Sequence, residues 1–415
     1  MEQKIKAYKA FDKDLSCRGF KYKVGKEYEE TGDIKACEKG FHACPYPLDV
    51  FGYYAPAGSR FCEVEQSGKI DDSESDKVCS SKIRIGAELD IRGLVKAAVS
   101  YVKERCTNEY NAEPGKPAMT GYRGVATAGD RGAATAGNCG VATAGDRGAA
   151  TAGYRGVAMA GNCGAATAGD RGAATAGDRG AATAGDCGAA TAGYRGAATA
   201  GYRGVAMAGD GGAATAGDGG AATAGYRGAA TAGYRGVAMA GDGGAATAGD
   251  GGAATAGYRG AATAGYRGVA TAGYRGVAMA GDRGAATAGN CGVATAGDRG
   301  AATAGYRGVA MAGNCGAATA GYRGVAMAGD RGAATAGDGG AATARGKAST
   351  GYNGLSVARG KNVQVKGGIG AILVIAEERD DTYDIVDWKA VAVDGEVVKA
   401  DTWYRLENGE LVEVD

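Results

Sequence analysis

From Gly121 to Ala344 the chain repeats one eight-residue pattern 28 times without interruption: Gly-(Asp/Tyr/Asn)-(Arg/Gly/Cys)-Gly-(Ala/Val)-Ala-(Thr/Met)-Ala. The first half of each octad is polar and glycine-bearing, and the second half is small and mostly apolar. In the second half, as in Val125-Ala126-Thr127-Ala128, period-two alternation with β-branched residues predicts a short strand. In the first half, as in Gly121-Tyr122-Arg123-Gly124, two invariant glycines predict a tight corner with positive φ. Strand and corner at a fixed period define a β-solenoid. A long helix is excluded, because each of two glycines per octad costs about 1 kcal/mol relative to Ala. Collagen is excluded as well, since the glycine spacing alternates between three and five.

Substitutions inside the octad set the expected coil. Val replaces Ala at the fifth position at 125, 141, 157, 205, 237 and 269, all in odd octads, and then at 277, 293, 309 and 325, all in even ones. All six Met of the array share octads with these Val. This predicts a 16-residue coil of two non-equivalent strands, with one half-coil slip between Val269 and Val277. Fourteen such coils would form a rod about 65–70 Å long at about 4.8 Å per stacked strand. Duplication of 16- and 32-residue units would leave the same pattern, and residues 193–224 and 225–256 are identical. The alternative is a three-sided 24-residue coil, favoured by Cys139, Cys163, Cys187, Cys291 and Cys315, which recur 24 residues apart within each group. The invariant Ala pair is expected to point inward, between closely apposed sheets. The opposite orientation would bury Val, Met and Thr instead. With Ala inside, Val205, Met207, Val237, Met239, Val277 and Met279 become a candidate association face.

The corners carry the remaining side-chain chemistry. Tyr122, Tyr154, Tyr194, Tyr202, Tyr226, Tyr234, Tyr258, Tyr266, Tyr274, Tyr306 and Tyr322 are each followed by Arg. Stacked on neighbouring coils they would form Tyr ladders with Arg planes over the rings. Asp-Arg octads would place ion pairs at other corners. Calcium is disfavoured, because each octad supplies at most one carboxylate and calcium needs several converging oxygens.

The flanks divide the chain into three regions: an α+β domain over 1–112, the solenoid over 113–366, and a β-meander cap over 367–415. Residues 113–120 read as a decayed octad whose two Pro end strand pairing. Residues 351–358 and 359–366 keep the octad length and gain Leu and Val, as an end cap requires. Beyond them, turns at Asp394-Gly395 and Asn408-Gly409 between alternating segments predict a meander with strands in AILVIA, YDIVDWKAVAV, EVVKA, TWYRL and ELVEV. In the N-terminal region strands are expected at Ile5–Phe11, Phe20–Val24, Phe61–Val64 and Lys82–Ile85. A short helix is expected at Leu48–Tyr54 and a longer one at Ile91–Arg105, capped by Asp90.

Composition agrees with this division. Glycine supplies 80 of 415 residues, with only 5 Phe and 2 Trp, so one large apolar core is excluded. The net charge is +1, and the array holds 18 Arg against 13 Asp. That excess is too small to demand a nucleic-acid partner. No segment has the apolar run of a signal peptide or a membrane span. The 11 Cys are therefore expected as reduced thiols in a cytoplasmic protein, with a phage-associated setting as the other option. Cys37, His42 and Cys44 match no common zinc spacing; no metal, cofactor or catalytic set is expected.

These residues carry resemblances. The segments Gly40–Cys44 (GFHAC), Ser81–Leu89 (SKIRIGAEL) and Lys399–Tyr404 (KADTWY), with the octads between, resemble a family of uncharacterised bacterial and prophage proteins. The octads are also similar to those of bacterial ice-nucleation proteins, which implies paired 16-residue coils and stacked Tyr; the outward Thr-x-Thr motif is absent here. Arg18-Gly19 and GFHACPYPLDVFGYYAP resemble parts of ADP-ribosyltransferase folds. Three functional readings follow. The first is a non-enzymatic structural or interaction protein, a rigid rod that displays its end domains and self-associates laterally through Val and Met. The second is an array binding ice or another ordered surface, which needs an outward Thr ladder. The third is a toxin-like or enzymatic N-terminal domain on a stalk, which needs Arg18, His42 and Tyr53 or Tyr54 in one cleft.

Overall fold

The computed structural model describes residues 3–36, 38–74, 76–105, 108–111, 117–379 and 382–414. The chain divides into two compact units, Met1–Ala224 and Gly225–Asp415.

The first unit opens with seven strands: β1 (Ile5–Phe11), β2 (Ser16–Cys17), β3 (Phe20–Lys21), β4 (Glu27–Glu29), β5 (Phe41–Ala43), β6 (Arg60–Asp71) and β7 (Val78–Leu89). They form an antiparallel sheet ordered β1-β6-β7-β4, with β5 also on β7 and β2–β3 as a separate hairpin. Strand β1 has apolar residues on both faces and lies between two cores. Ala7 and Phe11 join Val64, Ile83 and Ile85 on one side. Tyr8 and Ala10 join Phe51, Phe61 and Leu94 on the other. The expected helix at 48–54 is a short 3-10 turn, Pro47–Gly52. Helix α1 (Ile91–Arg105) follows the sequence reading. Its start is fixed by Asp90, whose Oδ1 accepts from the Gly93 N–H at 2.7 Å.

Within each unit the octads form parallel ladders in which every residue pairs with the one 16 positions on, as Ala134 with Ala150 and Val277 with Val293. The 24-residue alternative is thereby excluded. Two strands make each coil, and they belong to two sheets. The invariant Ala pair is buried along the array, as at Ala142 and Ala144 or Ala278 and Ala280, with Ala328 alone partly exposed. Only a methyl fits between sheets this close.

The array extends beyond its regular octads at both ends. Asn108–Asn111 and Ala118–Thr120 add one coil before Gly121, with Ala118 opposite Ala134. The Pro-bearing segment thus does not end pairing at residues 118–120, and residues 112–116 lie outside the described residues. In the second unit Leu355–Gly360 and Gln364–Lys366 continue the ladders. Two antiparallel hairpins then close it: Ile372–Glu378 with Ile385–Ala392, and Trp403–Glu407 with Glu410–Val414. The expected strand EVVKA is absent. Asp394 Oδ1 instead accepts from the N–H groups of Glu396, Val397 and Val398, holding that stretch as a loop.

The corners differ from expectation in an instructive way. Positive φ falls on the third octad position, as at Arg123 (53°) and Cys139 (57°), rather than on the invariant glycines. Those glycines are required by crowding. A Cβ on Gly212 would stand 2.6 Å from the Gly196 carbonyl oxygen, one coil back. A Cβ on Gly137 would stand 2.8 Å from the Gly121 carbonyl carbon. Coils 4.8 Å apart leave no room for a methyl there.

Candidate functional site

Two places in the molecule gather chemistry. The first is the outward sheet surface bearing the fifth and seventh octad positions. In the first unit the odd octads present Val141, Val157, Ala173, Ala189 and Val205 outward. All are nonetheless buried, because Leu94, Ala98 and Val102 of α1 pack over them, with Met159 and Met207 at the margin. The contact is sealed by charge. Asp49, on the 3-10 turn and 1% exposed, receives Arg155 Nη2 at 2.5 Å and Arg171 Nη1 at 3.3 Å. Arg203 donates to the Gly52 carbonyl at 2.9 Å. Burial pushes the Asp49 carboxyl up to about 6, although Arg155 and then Arg171 pull it down.

In the second unit the corresponding positions are open. Val237 is half-buried and Met239 exposed, in the same sheet as Val269. From Val277 on, the Val-bearing positions lie in the other sheet, where Val277, Val293, Val309, Val325, Ala341, Leu355 and Ile372 form one ladder. Beside it run Met279, Thr295, Met311, Met327, Thr343, Val357 and Val374. Val277, Met279, Leu355 and Ile372 are exposed, and no charged residue interrupts either row. Of the six residues expected as an association face, Val205 and Met207 are therefore occupied by the chain's own helix. Val237, Met239, Val277 and Met279 are not covered in this way, and they divide between two sheets.

The Tyr residues are exposed at the corners, but a continuous ladder does not form. Among the described residues, rings stack where consecutive coils both carry Tyr: Tyr258 on Tyr274 at 5.5 Å and Tyr306 on Tyr322 at 5.6 Å. Tyr122, Tyr154, Tyr194, Tyr202, Tyr226, Tyr234 and Tyr266 each lie under the guanidinium of the following Arg. Between Tyr-bearing coils stand Asp and Asn, and their Oδ1 atoms accept from the next coil's backbone. Asn138 takes the Tyr154 N–H at 2.9 Å, and Asp242 takes that of Tyr258 at 2.8 Å. These corner oxygens thus serve the backbone ladder, and at the far end Asp330 also pairs with Arg345, Nε to Oδ1 at 2.6 Å.

The second place is a cleft of about 680 Å³ in the N-terminal domain. Arg18, His42, Tyr53 and Tyr54 all line it. Lys9 forms its floor, a residue the sequence reading passed over. The alternation Ala7-Lys9-Phe11 was the available signal, because it puts a lysine on the apolar face of β1. Its Nζ donates to the His42 carbonyl at 2.8 Å and lies 5.6 Å from the Phe11 ring centroid and 5.8 Å from that of Tyr22. Desolvation holds the ammonium below its usual pKa. His42 is lowered too, by burial and then by Lys9. Among the described residues no group of three or more His, Cys, Asp or Glu could hold a metal; Cys37 of the spacing weighed above lies outside them.

Residues 5–97 match a family model described as a domain of unknown function, DUF7666. The chain is thus a DUF7666 domain followed by a β-solenoid repeat region. No curated protein and no solved structure matches it.

Proposed function

We propose that this chain is a structural interaction protein that presents its DUF7666 domain from a β-solenoid and binds a second copy of itself through the open aliphatic face of the second unit. The observation that carries the reading is the contrast in cover. Outward Val are buried and outward Met partly buried where the chain supplies α1, whereas in the second unit similar residues are exposed or half-exposed. Two such faces are self-complementary, as a twofold contact requires. Neither carries a charge to repel its copy, and the side-chain rungs have the same spacing. The face measures about 30 Å by about 13 Å, which buries roughly 800 Å² in total and places the dimer among weak, concentration-dependent contacts. Sedimentation velocity over a concentration series tests this. Association that Val309→Lys and Met311→Lys abolish, and that Thr287→Lys on the other sheet leaves intact, is the expected result. A strict monomer at high concentration overturns it.

One observation supports a second reading. In the second unit Thr271, Thr287, Thr303, Thr319 and Thr335 form an exposed file on the sheet opposite the Val277 ladder. A flat Thr file suits an ordered surface such as ice. Thermal hysteresis that is lost when these Thr become Lys would favour this reading, and no hysteresis would remove it.

A further inference from the structure

The cleft in the DUF7666 domain lies beside the solenoid contact, with Tyr8, Cys44 and Val50 shared between the two, and its charge is unusual. Lys9 is 8% exposed; its Nζ donates to the His42 backbone carbonyl and also interacts with the Cys17 thiol. Among the described residues it pairs with no carboxylate. A buried ammonium with spare donors carries a desolvation cost that an anion would offset. Arg18 brings a second cation to the same space. It sits with Gly19 in the two-residue turn of the β2–β3 hairpin, at φ of 50° and 82°. A non-glycine residue in that region is strained by about 1 kcal/mol or more. Arg18 also forms no ion pair among the described residues. The acidic groups of the lining are already engaged: Glu29 with Lys82, Glu30 with Lys39 and Glu38 with Lys35.

The walls are aromatic. Phe20, Tyr22 and Tyr28 form an edge-to-face cluster with centroids 4.8–5.4 Å apart. Phe20 is nearly half exposed although its neighbour Tyr22 is buried. Such a ring, lining one cleft with two cations that pair with no carboxylate among the described residues, offers a stacking surface for a planar group. The volume lies within the usual range for small-molecule sites.

We propose that this cleft binds a nucleoside monophosphate, with the phosphate between Lys9 and Arg18 and the planar base against the Phe20–Tyr22–Tyr28 wall. The two cations supply charge-assisted hydrogen bonds to phosphate oxygens, and the rings supply affinity for the base.

Isothermal titration calorimetry of the full chain with AMP tests this, with inorganic phosphate and adenosine as separate probes. AMP is expected to bind at least tenfold more tightly than either fragment. Arg18→Gly removes the cation while suiting the positive φ, so the hairpin is retained. It should weaken AMP at least tenfold and leave adenosine unchanged. Lys9→Met, which keeps the length of the side chain in an apolar setting, should abolish the response to phosphate. Absence of AMP binding at about 1 mM overturns the proposal, and so does undiminished binding by Arg18→Gly. Phosphate binding as tightly as AMP would exclude the base subsite and likewise overturn it.

Discussion

Two aliphatic surfaces in this molecule are written in the same octad and have opposite surroundings. In the first unit Val141, Val157 and Val205 are no more than 2% exposed, beneath α1; in the second, Val277 and Val325 are 37% and 36% exposed. The inner Ala pair is the same in both. What differs is whether an amphipathic helix from the chain itself lies on the outward side. Buried fifth-position residues become part of a mixed core with Phe51, Phe61 and Leu94. Exposed ones contribute little to the stability of their own sheet. The contrast shows that Val and Met in this array point away from the solenoid interior, and that in the first unit they pack against α1.

The largest effect should separate the two surfaces directly. Val157→Lys places a charge under α1 and should cost about 3 kcal/mol or more of local stability. Val309→Lys, on the open face, should change monomer stability by less than about 0.5 kcal/mol. Hydrogen exchange in the α1 amides reads the first: roughly a hundredfold acceleration is expected. Equal behaviour of the two variants would break the comparison, because it would mean that α1 does not depend on the surface below it.

The charged seal comes next. Asp49→Ala removes the buried anion that Arg155 and Arg171 share and leaves Asp76, 3.4 Å from Arg171 Nη1, as the remaining carboxylate there, at a cost of about 3 kcal/mol. Asp49→Asn keeps a hydrogen-bonding group and should cost less. Unchanged exchange in α1 on Asp49→Ala would mean that the aliphatic contact alone holds the domain.

How much of this was legible in the sequence depends on the distance between partners. The octad, the 16-residue coil, the inward Ala and the α1 boundaries rest on patterns local to one strand, turn or helix, and they read directly. The half-coil slip was legible too, because Val changes octad parity at Val277. The α1 contact was not: Asp49 and Arg155 are 106 residues apart, and nothing in periodicity says that odd octads face a helix. The role of the invariant glycines was misread for a different reason. Corner chemistry led to the expectation of positive φ at Gly, whereas the stacking distance between coils imposes Gly and leaves Arg or Cys in the left-handed position. At the cleft, Arg18 and His42 drew notice as polar residues, whereas Lys9 lay hidden in an otherwise ordinary strand.

A pH titration sharpens the same contact with a smaller effect. Native Asp49 holds its proton up to about pH 6, while in the unfolded chain it ionises in the ordinary carboxylate range near 3.8. Between those values the native state binds the extra proton, so stability falls as pH rises and levels off above about 6. Thermal unfolding of the first-unit contact should show that decline, and Asp49→Asn should flatten it. A rise in stability across the same window would mean that Arg155 and Arg171 outweigh the burial of the carboxyl.

The smallest effect concerns the corners, which the two units share. Arg147 and Arg275 both hold positive φ, at 57° and 56°. Arg147 follows an Asp, whereas the Arg275 guanidinium lies 5.7 Å from the Tyr274 ring centroid. Glycine relieves the left-handed strain at either site and increases the freedom of the unfolded chain. At Arg275 it also removes a ring contact worth about 0.5 kcal/mol. Arg147→Gly should therefore raise the melting temperature slightly, and Arg275→Gly should leave it close to the parent. If both substitutions stabilise equally, the Tyr-Arg corners hold no energy of their own. The Arg after each Tyr would then be selected for solubility, and the aliphatic faces alone would distinguish one coil from another.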